Sequence, residues 1–312
     1  MPPLSHTRTP PRIRPLDRFR GSLLGLAVGD ALGTTLELQP RGEFKTLVDM
    51  AGGGPFDLAP GEWTDDTSMA LCLATSLVER RGFDADDQMN RYWAWYEQGY
   101  WSSTGVCFDI GRTTLAALER WRAHGALFAG STQPDSAGNG CIMRLAPIAL
   151  YFAPDLEAVE RFARESARTT HGARECLDAC RLFGRMIARA LAGQSKREVL
   201  HGDESLELAP SLAALARGDY HDKGEDDVVG SGYVVESLEA ALWSFAHTEN
   251  FHDAVLCAAN LGDDADTTAA VCGQLAGAYY GEPEIPARWL ERLAFGTAIG
   301  DIAERLAAPK RR

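Results

Sequence analysis

The chain has 312 residues and carries 31 Lys and Arg against 44 Asp and Glu, a formal net charge of −13. So acidic a balance opposes any protein that grips nucleic acid by broad phosphate neutralisation, which needs a basic surface. Apolar residues make up 45% and charged residues 24%, ordinary values for a globular protein, and the length suffices for one large core. No apolar run reaches the roughly 18 to 20 residues that span a bilayer; the stretch 23–28 is broken by Gly25 and followed by Gly29 and Asp30. The N-terminus lacks a continuous apolar segment, so neither a secretory signal nor a membrane partner is expected. Seven cysteines without a C-x-x-C pair read as small buried residues in a reducing cytoplasm.

In chain order, residues 1–16 read as a disordered basic arm. The first 20 residues hold five arginines among five prolines, and the prolines oppose a helix. A glycine-containing apolar helix follows over 16–32, where Gly21, Gly25, Ala27 and Gly29 permit close packing. Apolar spacings of three and four then predict helices over 68–81, 84–98, 110–123, 156–169, 174–192, 233–246, 251–260, 267–280, 286–293 and 298–306. The breaks fall at 39–61, 99–109, 130–139 and 218–232. The last is acidic, yet its glycines and acids do not follow the EF-hand pattern, and it reads as a solvated loop. One all-α domain over 17–308, of about a dozen helices, is expected.

Two acidic clusters sit where helices are predicted to begin: Trp63-Thr64-Asp65-Asp66-Thr67, and Gly262-Asp263-Asp264-Ala265-Asp266-Thr267-Thr268. Helix capping explains one oxygen at such a place. It does not explain two or three adjacent acids, which repel unless a cation neutralises them. Together Thr64, Asp65, Asp66, Asp264, Asp266 and Thr267 make an all-oxygen set. Such donors suit Mg²⁺, Mn²⁺ or Ca²⁺ rather than Zn²⁺, and so many carboxylates suggest a two-metal centre. A third element, Gly29-Asp30-Ala31-Leu32-Gly33 with Glu37 beyond it, has no G-x-G-x-x-G and continues a helix pattern, which argues against a dinucleotide fingerprint.

These segments, with Gly138-Asn139-Gly140 leading to Met143-Arg144 and with Thr170-His171-Gly172, occur in an order that resembles the ADP-ribosylglycohydrolase family, most of all its bacterial dinitrogenase-reductase activating glycohydrolase branch. The resemblance implies a compact all-α fold with a cleft holding two divalent cations, Mg²⁺ or Mn²⁺, on the six residues named above. By similarity Glu37 is the acid beside the metals, and Asp109, Asn139, Gly140, His171 and Tyr233 fall at substrate-cleft positions. For the chemistry, Glu37 is the expected catalytic acid/base, and Asp109 the catalytic residue that orients the scissile nitrogen. The implied reaction removes ADP-ribose from a modified protein at arginine. Serine-linked ADP-ribose, other ADP-ribose derivatives and ADP-ribosylated nucleic acid remain open as substrates. So does a binding role that blocks an ADP-ribosylating toxin, and the basic arm is a candidate docking segment for such a toxin or a transferase. The chain departs from the family pattern at Asp263, where a glycine is more usual, and at Arg112.

Overall fold

The computed structural model describes residues 13–201 and 206–308. Of the arm expected over 1–16, residues 1–12 lie outside the described residues, while Pro15 and Leu16 already belong to the first helix. Pro15 takes the first helical position, where its missing N–H costs nothing.

The described residues form fourteen α-helices: α1 (Pro15–Gly33), α2 (Asp65–Arg80), α3 (Ala85–Gln98), α4 (Arg112–His124), α5 (Ala146–Phe152), α6 (Leu156–Arg168), α7 (Arg174–Leu191), α8 (Lys196–Leu200), α9 (Pro210–Arg217), α10 (Val234–Ala246), α11 (Phe251–Ala259), α12 (Ala265–Tyr280), α13 (Ala287–Arg292) and α14 (Gly296–Ala307). Strand pairing among these residues is limited to isolated bridges. The all-α expectation holds. Helices α5, α8 and α9 were not foreseen, because runs of 7, 5 and 8 residues are too short to display a helical period. A capping box between Ser195 and Glu198 did mark the start of α8 in the sequence. No helix is long and apolar enough to cross a membrane among the described residues.

Helices α1 and α12 form the centre. From Gly21 to Gly33 every residue of α1 is buried, as expected of a helix surrounded by others on all sides. The two run antiparallel and touch backbone to backbone. A Cβ at Gly25 would stand 2.3 Å from the Gly273 carbonyl oxygen, and one at Gly29 would stand 2.1 Å from that of Ala269. The same holds at Gly21 against Gly277 and at Gly33 against Ala265. A stripe of small residues at every fourth position makes this approach possible. Its consequence is positional, since the C-terminal end of α1 lies beside the N-terminal end of α12, where the second acidic cluster begins.

Buried polar groups tie other elements to this pair. Gln274 in α12 donates to the carbonyls of Ile142 (3.1 Å) and Met143 (2.8 Å) and accepts from Ala146 N–H (2.7 Å). Those bonds fix the turn after Asn139–Cys141 against α12. Each satisfies a backbone group that burial would otherwise leave unpaired.

Candidate active site

The first acidic cluster is held by a residue from another helix. Asp30, fully buried near the end of α1, accepts from both the N–H and the hydroxyl of Thr64 (2.9 Å each). Its other oxygen accepts from the N–H (3.0 Å) and the hydroxyl (2.6 Å) of Thr67. Asp30 therefore caps α2 in trans, satisfying N-terminal donors that the helix cannot bond itself. Burial pushes its carboxyl up to about 6, against these hydrogen bonds. With the cap supplied from α1, Asp65 and Asp66 occupy the first turn of α2, earlier than the expected start at residue 68. They are free to serve something other than the helix.

Helix α12 begins at Ala265 rather than at 267, with Asp264 as its N-cap residue and Asp266 in its first turn. The two clusters interlock: Thr64 Oγ1 lies 3.3 Å from Asp266 Oδ2, and Thr267 Oγ1 donates to Asp66 Oδ1 at 3.3 Å. The Glu37 loop is pinned to this end of α12 by the backbone, with Leu38 N–H donating to Asp263 O (2.7 Å) and Asp263 N–H to Gln39 O (2.8 Å). Asp263 has φ 55°, the left-handed region that aspartate tolerates and glycine favours. Its departure from the family pattern is thus a backbone matter, and its amide and carbonyl do the pinning. Asp109, also left-handed at φ 60°, enters from the loop before α4.

The result is a knot of carboxyls. Single oxygens of Glu37, Asp109 and Asp266 lie within 4.8 Å of one another. Burial, then Asp109, Asp264 and Asp30, push the Glu37 carboxyl up to about 9. Burial, then Asp30 and Asp264, push Asp109 up to about 7. Asp65, Asp66 and Asp266 are raised well above the ordinary range, burial first and neighbouring acids after it. Three buried oxygens here, Glu37 Oε2, Asp66 Oδ2 and Asp266 Oδ1, accept no hydrogen bond. Buried polar atoms are normally satisfied. Oxygen-only donors with orphaned lone pairs and mutual repulsion fit a hard divalent cation.

Beside the knot lies a cleft of about 700 Å³. Ten of the twelve site residues expected from sequence line it: Glu37, Asp65, Asp109, Asn139, Gly140, His171, Tyr233, Asp264, Asp266 and Thr267. Thr64 and Asp66 stand behind the wall, both fully buried. The Asn139 amide nitrogen donates to Asp264 Oδ2 (2.7 Å) and Ser237 Oγ (3.2 Å), so it orients an acid of the second cluster. The Tyr233 hydroxyl donates to Glu175 (2.7 Å) while its ring, 36% exposed, borders the cleft. Arg112 opens α4 at the mouth, exposed to solvent. Sequence reasoning missed Asp30 and Gln274 as functional supports. A lone aspartate one residue beyond Gly29 in an otherwise apolar helix pattern was the available signal.

Fold and site together define an all-α protein whose central helix pair presents a carboxylate-lined cleft suited to a hard divalent cation. The chain belongs to the ADP-ribosylglycohydrolase family, whose sequence model matches residues 11–312, and it is a glycohydrolase. It is 45% identical to the ADP-ribosylarginine hydrolase Tri1 of Serratia proteamaculans (strain 568), over 96% of this chain and 82% of that one. Identity to the ADP-ribosyl-[dinitrogen reductase] glycohydrolase of Rhodospirillum rubrum is lower, 35% over 89% of this chain and 90% of that one. A solved structure described as an ADP-ribosylglycohydrolase-related protein complex superposes with a TM-score of 0.84 at 44% identity, covering 94% of this chain and 98% of that one.

Proposed function

We propose that this protein hydrolyses the N-glycosidic bond between ADP-ribose and an arginine side chain of a modified protein. The observation that carries the reading is the convergence of Glu37, Asp109 and Asp266 at the cleft, in a chain so similar to an arginine hydrolase. Thr64, Asp65, Asp66, Asp264, Asp266 and Thr267 would hold two divalent cations, Mg²⁺ or Mn²⁺, and the orphaned oxygens in their midst support that assignment. Such ions, when bound, orient ribose hydroxyls and make water more acidic.

The chain's own residues account for the rest. Cleavage at the anomeric carbon develops oxocarbenium character, which neighbouring carboxylates stabilise. The C–N bond breaks, water oxygen bonds to that carbon, and the guanidine nitrogen gains a proton. Glu37 is the proton-transfer group, because it stands at the cleft with an oxygen close to those of Asp109 and Asp266, and burial with neighbouring acids raises its proton affinity above that of an ordinary carboxylate. Asp109, close by and raised to about 7, orients the departing nitrogen. Seven free thiols among the described residues support a reducing, cytoplasmic setting. The basic arm supports docking to a transferase or toxin only through its composition.

The test is release of ADP-ribose from an arginine-modified protein, followed by mass spectrometry with and without chelator. Release that stops on chelation and resumes with Mg²⁺ or Mn²⁺ is expected. Release from serine-linked substrate alone would overturn the arginine reading.

A further inference from the structure

Arg144 is only 1% exposed, and its contacts are unusual for a buried cation. Among the described residues no carboxylate pairs with it. Its Nη2 donates to Thr170 Oγ1 at 2.6 Å, Nη1 approaches Met69 sulfur at 3.7 Å, and the guanidinium lies 4.8 Å from the Tyr92 ring centre. Thr170 Oγ1 in turn lies 2.8 Å from His171 Nδ1, with all three side chains buried.

Proton counting assigns the ring's tautomer. A guanidinium has donors and no acceptor, so the Thr170 hydroxyl accepts from Arg144. A hydroxyl can accept twice, but among the described residues Thr170 Oγ1 has no hydrogen-bond partner besides Arg144 and His171 Nδ1, so its proton is assigned to Nδ1. Nδ1 therefore carries a lone pair, and a neutral ring must bear its proton on Nε2. Burial, reinforced by Arg144 and opposed by Cys141, keeps the ring neutral by bringing its pKa down to about 4. The Nε2 edge meets the turn through Gly138 and Gly140: a Cβ at Gly140 would fall 2.9 Å from Cε1 and 3.2 Å from Nε2, and one at Gly138 would fall 3.4 Å from Nε2. Glycines let that turn lie against the ring where His171 borders the cleft.

We infer that Arg144 and Thr170 are a positioning pair that locks His171 in its Nε2–H tautomer, so that the ring offers a permanent hydrogen-bond donor to an oxygen of ADP-ribose in the cleft. The ligand in this inference rests on the reading above, whereas the tautomer does not. An unlocked imidazole would divide its proton between two nitrogens and present a lone pair to that oxygen part of the time, which repels it.

The full chain, ¹⁵N-labelled and supplied with Mg²⁺, allows both halves to be measured. Long-range ¹H–¹⁵N spectra of the imidazole report the tautomer with no ligand present, and calorimetry reports ADP-ribose affinity. Wild type and Thr170→Ser are expected to show Nε2–H alone. Thr170→Val, nearly isosteric and without the hydroxyl, is expected to show a mixed ring and an ADP-ribose Kd raised roughly three- to tenfold, the worth of one hydrogen bond. On substrate, the loss should fall on KM more than on kcat. Arg144→Met should also mix the tautomers, provided its thermal melt stays cooperative; Thr170→Val carries the test if it does not. A wild-type ring protonated at Nδ1, or Thr170→Val with unchanged tautomer and affinity, would overturn the inference. A locked wild-type ring released by Thr170→Val, in a protein that fails to bind ADP-ribose, would support the lock and sink the ligand.

Discussion

Glu37 and Asp65 both line the cleft, yet their loss should look different. Glu37→Gln keeps the size and one acceptor oxygen but cannot ionise. Expected is a fall in single-turnover rate of roughly 10²-fold or more, the usual worth of general acid–base catalysis, with ADP-ribose affinity changed by less than about tenfold. A normal single-turnover rate would remove Glu37 from proton transfer and shift that role to Asp109. Asp65→Ala and Asp264→Ala instead delete anionic groups proposed as cation ligands. Both should abolish hydrolysis, and cation binding by calorimetry should weaken in parallel. Because Asp65 is buried among acids that repel it, metal-free Asp65→Ala should melt no lower than metal-free wild type. Full turnover in either variant would contradict the ligand assignment.

Helices α1 and α12 set the positions on which those residues depend. The backbone approach at Gly25 and Gly29 leaves no room for a methyl group, since the nearest obstacle is main-chain carbonyl oxygen at 2.3 and 2.1 Å. A rotamer change cannot relieve a clash with backbone. Gly29→Ala should therefore cost at least about 2 kcal/mol in denaturant unfolding, within or above the usual range for overpacking. It should also weaken cation binding, because forcing the helices apart separates Asp30 and Glu37 from Asp264 and Asp266. Wild-type stability in Gly29→Ala would show that the pair can slide without cost. The same geometry explains why the α2 cap comes from α1. Asp30 is delivered to four donors of Thr64 and Thr67 by a helix that has no freedom to shift.

Across the folded chain, the acidic knot couples stability to protons and cations. Glu37 at about 9, Asp109 at about 7 and Asp30 at about 6 all lie above their unfolded values near 4. Without cations the folded state binds more protons than the unfolded one, so stability falls as pH rises. That contribution is fully present below about pH 4 and is lost progressively through about 6, 7 and 9. Chelated protein should melt at lower temperature at pH 9 than at pH 5, and Mg²⁺ or Mn²⁺ should raise the melting temperature most at the alkaline end, by mass action on the folded state. Zn²⁺ should replace them poorly, since the donors are all oxygen. A melting temperature indifferent to both pH and cation would refute the coupling.

The helical class and the site's residue types were legible in one dimension because both are local. Apolar spacing repeats within a helix, and adjacent acids announce their repulsion wherever the chain goes. Glycines four apart in 16–32 even announced a close approach, though not its partner. What the sequence could not tell is that Asp30 caps α2 rather than facing water, that the Asn139 amide serves Asp264, that Asp263 acts through its backbone, and that Arg144 and Thr170 orient His171. Each of these depends on which atoms meet across long stretches of chain, or on the direction in which a bond is donated. Residue spacing carries no information about either. Two clusters of repelling carboxylates become one site only when a pair of glycine-lined helices packs closely enough to bring their ends together.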